Sequence, residues 1–325
     1  MTAVALVVAA LFAVVAGSND GASLMSLGAK VGGLRPVTMV AVLVSALAAG
    51  PLVFGTRVAS TLALRLSPLA GGGGAGVGGR SEVVVAVLTA MVVVFLLNRR
   101  GLPTSSTLAI IGAITGAALG AGAPVDAVAV VGVLGLGLLA PVLSGLLALG
   151  LARVLNRRAR SQRLHTRLSQ AHASAFVAQS LAYSANGGQK ILAVFALAIG
   201  TTAGRSVHAP VQVLVAMAVL FGVGTLLGLR RVSRGLASDV SGVHLRHAVS
   251  AEACTAVVTF VSALAGVPLT TSQSIGGALV GAASAEGGVG RVRLPAVARL
   301  GGAWLLTLPA SLVLAASATA ALGLR

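Results

Sequence analysis

The chain has 325 residues, 57% of them hydrophobic and 9% charged, with a mean hydropathy of +1.01, where an ordinary soluble domain is about 25% charged. So few charges cannot coat a water-facing surface of this size, which excludes a soluble globular protein and leaves lipid as the solvent. The balance of 23 basic to 6 acidic residues, net +17, points to membrane orientation rather than nucleic acid, because the arginines fall in short loops with no interleaved aromatics to stack on bases.

Apolar residues run on without alternation for about 20 positions at a time, so the spans are helices and not barrel strands. In chain order they are predicted at 3–34 (interrupted at 17–23), 37–57, 83–97, 104–122, 126–152, 173–204 (interrupted at 184–190), 209–229, 248–266, 268–286 and 294–324. The first apolar stretch, Val4 to Ala16, lacks a basic leader and runs straight into a polar motif, so it reads as a span and not as a cleavable signal. The stretches after Pro103 and Pro268 are long enough to cross or to re-enter. Gly71 to Arg80 reads as a flexible external loop, and the lone Cys254 as an inert buried thiol. With 43 glycines and 3% aromatics, close helix contact is expected, and Gly112, Gly116 and Gly120, with Gly277 and Gly281, read as packing faces. Trp304 reads as a packing residue or an interfacial anchor.

Placing Arg153, Arg157, Arg158, Arg160, Arg163 and Arg167 in the cytoplasm, and counting outward, puts Lys30, Arg35, Arg99, Arg100, Arg230, Arg231, Arg234, Arg246, Arg291, Arg293 and Arg299 inside as well. Arg57, Arg65, Arg80, Arg205 and Arg325 fall outside, and both termini are external. The expected protein is a multi-pass component of the cell membrane with cytoplasmic basic loops. Five segments precede the basic linker 153–172 and five follow it, so repeats 1–152 and 173–325 would insert with opposite orientation. The run from Pro103 to Ala117 resembles that from Pro268 to Ala282, with Ile110/Ile275, Gly112/Gly277, Ala113/Ala278 and Gly116/Gly281 all at an offset of 165. A second pair, Gly17 to Gly21 and Ser184 to Gly188, aligns Asn19 with Asn186. The expected fold is an all-α polytopic membrane protein of two inverted repeats, with interrupted or re-entrant helices at the site, the architecture of secondary transporters.

Asn19 and Asp20 interrupt an apolar segment, and an ionisable group at that depth costs about 2.5–3.5 kcal/mol. Either the helix unwinds at Gly17 and Gly21 to let Asp20 hold Na⁺ or relay a proton, or Asp20 is a solvated helix cap. Asn186, Gln189 and Lys190 form the partner interruption; the amides suit an anion or a cation, and Lys190 either snorkels or pairs with substrate. Thr104, Ser105, Ser106 and Thr107, and likewise Thr270, Thr271 and Ser272, open apolar helices where unpaired N–H groups and the positive dipole end favour a phosphate or sulfate; the plainer alternative is capping alone. Glu252 is either a helix N-terminal acid or a second intramembrane carboxylate for cation coupling. His165, His172, His208, His244 and His247 lie near loops without acids at ligand spacing, so no metal site is expected beyond a transported Na⁺ at Asp20. No nucleophile, base and orienting group recur together, which argues against an enzyme, and no cofactor is expected.

These motifs resemble the inorganic phosphate transporter family over nearly the whole chain, in a divergent bacterial-type form. The family's Gly-x-Asn-Asp-x-x-Asn appears as Gly17, Ser18, Asn19, Asp20, Gly21, Ala22 and Ser23, and its Asn-Asp-x-Gln-Lys as Asn186, Gly187, Gly188, Gln189 and Lys190. Its Pro-x-Ser-Thr-Thr-His element resembles Pro103 to Leu108 and Pro268 to Gln273. Leu139 to Pro141 and Ala303 to Pro309 resemble the final helix of each half. Departures are Ser23 for Asn, Gly187 for the second Asp, Leu108 and Gln273 for the two His, and Leu47 for an acid. The resemblance implies inorganic phosphate transport with Na⁺ or H⁺ by alternating access, in a protein that commonly dimerises. Sulfate or another tetrahedral oxyanion is the alternative cargo, and an uncoupled anion channel or a non-transporting scaffold the alternative class.

Overall fold

The computed structural model describes residues 2–31, 34–65, 77–100, 104–157, 162–200, 202–203, 206–207, 210–232 and 244–324. The expected loop at Gly71 to Arg80 lies mostly outside these residues, as do Pro103, Arg158, Arg160, Arg205, His208, Arg234 and Arg325. The described residues are almost entirely helical. Helix α1 (Thr2–Ala16) passes through one π turn (Gly17–Gly21) into α2 (Ala22–Val31). Then come α3 (Pro36–Phe54), the short α4 (Arg57–Ser60) with a second π turn (Thr61–Arg65), α5 (Val77–Arg99), α6 (Ser106–Gly120) and α7 (Ala127–Arg157). The later elements are α8 (Gln162–Ala185), α9 (Gln189–Ile199), a two-stranded antiparallel piece β1 (Thr202–Ala203) and β2 (Ser206–Val207), α10 (Val211–Val232), α11 (Leu245–Leu264), α12 (Thr271–Ser284) and α13 (Leu294–Ala321).

Among the described residues, seven of these helical runs are long and apolar enough to cross a membrane: Thr2–Gly28, Pro36–Phe54, Arg80–Arg99, Ala127–Arg157, Val211–Leu229, Leu245–Leu264 and Leu294–Ala321. The fold turns apolar side chains outward and polar ones inward, as lipid requires. Val53, Val128, Leu227 and Leu305 face outward, whereas Asn19, Asp20, Lys190 and Glu252 are buried. Pro51, Pro141 and Pro309 sit inside α3, α7 and α13, as membrane helices tolerate.

Two short helices form the centre. In α6 every residue from Ser106 to Ala118 is buried, and α12 is nearly as enclosed. At 15 and 14 residues each is about 22 Å long, short of a roughly 30 Å hydrocarbon core. Helix α6 lies along α13, and α12 lies along α7. Both contacts use glycine: a Cβ on Gly116 would stand 2.1 Å from the Leu312 carbonyl oxygen, and one on Gly281 would stand 1.9 Å from that of Gly145. The faces read from the sequence as packing surfaces thus bring backbone onto backbone. Other contacts also come in matched pairs, with α1 on α10 and α3 on α8, and with α5 beside α13 and α11 beside α7.

Three expectations are corrected. The helix holding Asn19 and Asp20 does not break: the chain stays helical through a single π turn, with Ala16 and Ala22 on either side in right-handed helical geometry. Its glycines serve close approach instead, since a Cβ on Gly17 would fall 2.0 Å from the Phe221 carbonyl oxygen. Only the second-half counterpart is interrupted, by a turn at 186–188 between α8 and α9. Finally, the span predicted to begin at 173 starts at Gln162, so much of the stretch read as linker 153–172 is helix, continuing α7 to Arg157 and opening α8.

Candidate functional site

The starts of α6 and α12 meet. Ser105 Oγ and Thr270 Oγ1 lie 2.8 Å apart, and Thr104, Ser105, Ser106, Thr107, Thr270, Thr271 and Ser272 are all buried around that contact. Ser105 caps α6 by accepting from Leu108 N at 3.0 Å, so the capping alternative holds for this one residue. The rest of the first run is engaged elsewhere: Ser106 donates to Asp20, and Thr107 donates to the Leu269 carbonyl at 3.4 Å. In the first turn of α12, by contrast, the side chains of Thr271, Ser272, Gln273 and Ser274 find no hydrogen-bond partner among the described residues. Four consecutive buried polar side chains at the positive end of a helix are suited to receive an oxyanion.

Asp20 comes to these helix starts from the π turn. Being 3% exposed and inside a helix, it is not a solvated cap. Its Oδ1 accepts from Asn19 Nδ2 and Ser106 Oγ, both at 2.9 Å, and its Oδ2 from Ser106 Oγ at 2.9 Å and Tyr183 Oη at 3.1 Å. Oδ2 also carries the Lys190 ammonium, which donates further to Ser106 Oγ at 2.6 Å and Thr107 Oγ1 at 3.4 Å. Lys190 is 2% exposed and does not snorkel.

The two motif asparagines do parallel work. Asn19 Nδ2 donates to the Thr104 carbonyl at 3.2 Å, holding the chain that enters α6. Asn186 donates to the Val267 carbonyl at 2.8 Å and accepts from Leu269 N at 2.9 Å, holding the chain that enters α12. Gln189 is also spent on backbone, donating to the Gly55 carbonyl at 2.8 Å and accepting from Ala59 N at 2.9 Å.

Glu252 lies apart from Asp20, two turns into α11 and fully buried, not at a helix start. Its Oε2 meets His172 Nδ1 of α8 at 2.7 Å. The acid that meets His172 lies 80 residues away in the chain, beyond the ligand spacings read from the sequence. His247 is a second case, with Nε2 3.0 Å from Glu286 Oε1, which also accepts from Arg246 Nε at 2.6 Å. Glu286 stands beyond the end of α12. Burial raises its carboxyl, but the charges of His247 and Arg246 outweigh that and leave it below the usual carboxylate range. No group of three or more His, Cys, Asp or Glu able to hold a metal occurs among the described residues.

Sequence reasoning gave His172 no partner and passed over Tyr183 and Asn98, whose Nδ2 reaches Asn19 Oδ1 at 3.4 Å. A signal existed for Tyr183, the single tyrosine of the chain, three residues before Asn186. None existed for the His172 and Glu252 pair, 80 residues apart.

Fold and site together define an all-α polytopic membrane protein with a buried, charged, hydroxyl-rich centre where two short helices begin. Residues 79–178 and 158–315 match the phosphate transporter family, and the chain belongs to that family of transporters, not enzymes. It is 31% identical over 241 residues to a probable low-affinity inorganic phosphate transporter of Mycobacterium leprae (strain TN), covering 70% of this chain and 57% of the relative. It is 28% identical over 109 residues to the low-affinity inorganic phosphate transporter PitA of Escherichia coli (strain K12), covering 33% and 21%. The chain thus spans 57% of the length of the mycobacterial relatives. A solved sodium-dependent phosphate transporter shares the fold, with a TM-score of 0.81 over 99% of both chains at 15% identity.

Proposed function

We propose that this protein carries inorganic phosphate across the membrane by alternating access, as a symporter with Na⁺ or H⁺. The observation that carries the reading is the convergence of two buried helix starts at the Ser105 and Thr270 contact, with Asp20 and Lys190 beside it. Thr104, Ser105, Ser106, Thr107, Thr270, Thr271 and Ser272 surround the anion, and Asn186 and Gln189 fix the backbone that frames it. The unpartnered hydroxyls of α12 supply donors, and beside them Gln273 Oε1, a buried acceptor without a partner among the described residues, favours an anion that can itself donate a hydrogen bond. Phosphate at neutral pH does so and sulfate does not. Asn19, Asp20 and Glu252 handle the charge that accompanies the anion.

The chain is read as two inverted repeats, 1–152 and 173–325, joined by 153–172. The reciprocal packing of α6 on α13 and α12 on α7 supports this, as does the contact between Ser105 and its repeat mate Thr270. The loop charges support external termini and cytoplasmic basic loops. Transport follows from rocking one repeat against the other.

The test is uptake of labelled phosphate by purified protein in liposomes under imposed Na⁺ and proton gradients, with sulfate as competitor. Accumulation driven by either gradient and lost in Asp20→Asn is expected. Flux that ignores both gradients would remove the coupling, and efficient competition by sulfate would change the cargo.

A further inference from the structure

The Asp20 carboxylate has about four lone-pair sites, and all are taken: Asn19 and Ser106 on Oδ1, Tyr183 and Lys190 on Oδ2. A metal cation at this carboxylate would have to evict one of those donors. The oxygens around Lys190 Nζ, from one carboxylate and the hydroxyls of Ser106 and Thr107, are hard donors of the kind a small hard cation takes. The Tyr183 ring centroid stands 5.9 Å from the same ammonium, within cation–π range.

Charge leads to the same place. The groups that touch Asp20 bring one carboxylate and one ammonium, so the centre is neutral before any ion arrives. Position 187 adds no acid. It is glycine, and a Cβ there would meet Tyr183 Cε2 at 2.5 Å, so the tyrosine ring occupies the space that a side chain at 187 needs.

We propose that Lys190 is a tethered counter-cation: its ammonium fills the coupling-cation position at Asp20, so phosphate binds and crosses without Na⁺. This rests on the reading of the chain as a phosphate carrier and leaves H⁺ as the coupling ion of that reading, and it assigns to Lys190 the charge that an external metal ion would otherwise bring. Because the ammonium is covalently held, its position is filled at any external salt composition. Removing it leaves a buried, unpaired carboxylate, which then needs a mobile cation.

The experiment measures phosphate exchange in liposomes at constant pH, with Na⁺ replaced by choline. Wild-type exchange is expected to be the same in both salts. Lys190→Met is expected to slow by about tenfold or more in choline and to recover with Na⁺. Wild-type exchange that collapses in choline would overturn the inference while leaving phosphate transport standing. Exchange absent from wild type in both salts would overturn the phosphate reading and the inference with it. Lys190→Met that is equally active in choline, or folded and inactive in both salts, would also defeat the tethered-cation role. Where that variant does not assemble, the wild-type comparison decides alone.

Discussion

The hydroxyls of Ser105 and Thr270 touch at 2.8 Å, and the 165 positions between them equal the spacing at which the helix-start motif recurs. On the proposed reading of the chain as two inverted repeats, this contact lies on the axis relating them, and rocking one repeat against the other would shear it first. In Ser105→Cys with Thr270→Cys, mild oxidation is expected to form a disulfide, since hydroxyls this close place the Cβ atoms near the usual bridging range of about 3.5–4.5 Å. The bridge should halt phosphate exchange, and reduction should restore it. A bridged protein that exchanges phosphate at the full rate would show that these helix starts do not separate during transport.

The glycine faces hold the same two helices from behind. Gly281→Ala forces a Cβ to within 1.9 Å of the Gly145 carbonyl oxygen, whereas a Cβ on Gly132 meets nothing within 4 Å. Overpacking of this kind costs about 1–3 kcal/mol. Gly281→Ala should therefore lower the melting temperature in detergent, and Gly132→Ala should leave it unchanged. Equal melting of the two variants would mean that α12 and α7 give way at no cost.

The buried His172 and Glu252 pair joins α8 to α11 at 2.7 Å. Removing either partner leaves a polar or charged group without its mate, at about 3–5 kcal/mol. His172→Ala and Glu252→Ala should each destabilise strongly, and the double variant by much less than their sum. A denaturation cycle measures this, and simple additivity would mean the two side chains do not interact.

How far the sequence carried the structure depends on the distance over which each signal acts. The helical class, the glycine faces, the hydroxyl-bearing helix starts and the buried Asp20 were all legible, because apolar runs and motif repeats are local or periodic. The unbroken path through Gly17 to Gly21 was not. Flexible glycines read as a place to unwind, yet here they make room for α10, which only the assembled fold reveals. Ion pairing was equally hidden: His172 with Glu252 and Lys190 with Asp20 lie 80 and 170 residues apart, beyond any spacing rule.

Glu286 makes one pH effect predictable. His247 and Arg246 together hold its carboxyl below the ordinary value of 4.5 despite its burial. A carboxyl lowered in the folded state contributes stability that is complete above the unfolded value and is lost as pH falls through the folded one. Wild type should lose stability as the pH falls below about 4.5, and Glu286→Gln should show a flatter acid limb in thermal melts across that range. Superimposable limbs would mean the cluster contributes nothing to acid stability.

Tyr183 and Gly187 share one space, and this links the charge of the centre to its shape. A Cβ at 187 would fall 2.5 Å from Tyr183 Cε2 and 3.2 Å from Thr271 Oγ1, so Gly187→Asp alone must displace a buried ring that also donates to Asp20. The single variant should melt lower and exchange phosphate poorly. Gly187→Asp with Tyr183→Ala makes room for the second carboxylate, and the centre then carries two acids against the one ammonium of Lys190. That excess negative charge at membrane depth calls for a mobile cation, so the double variant should recover exchange in Na⁺ and stay slow in choline. Recovery in choline to the same extent would mean that the charge balance around Asp20 does not set the cation requirement.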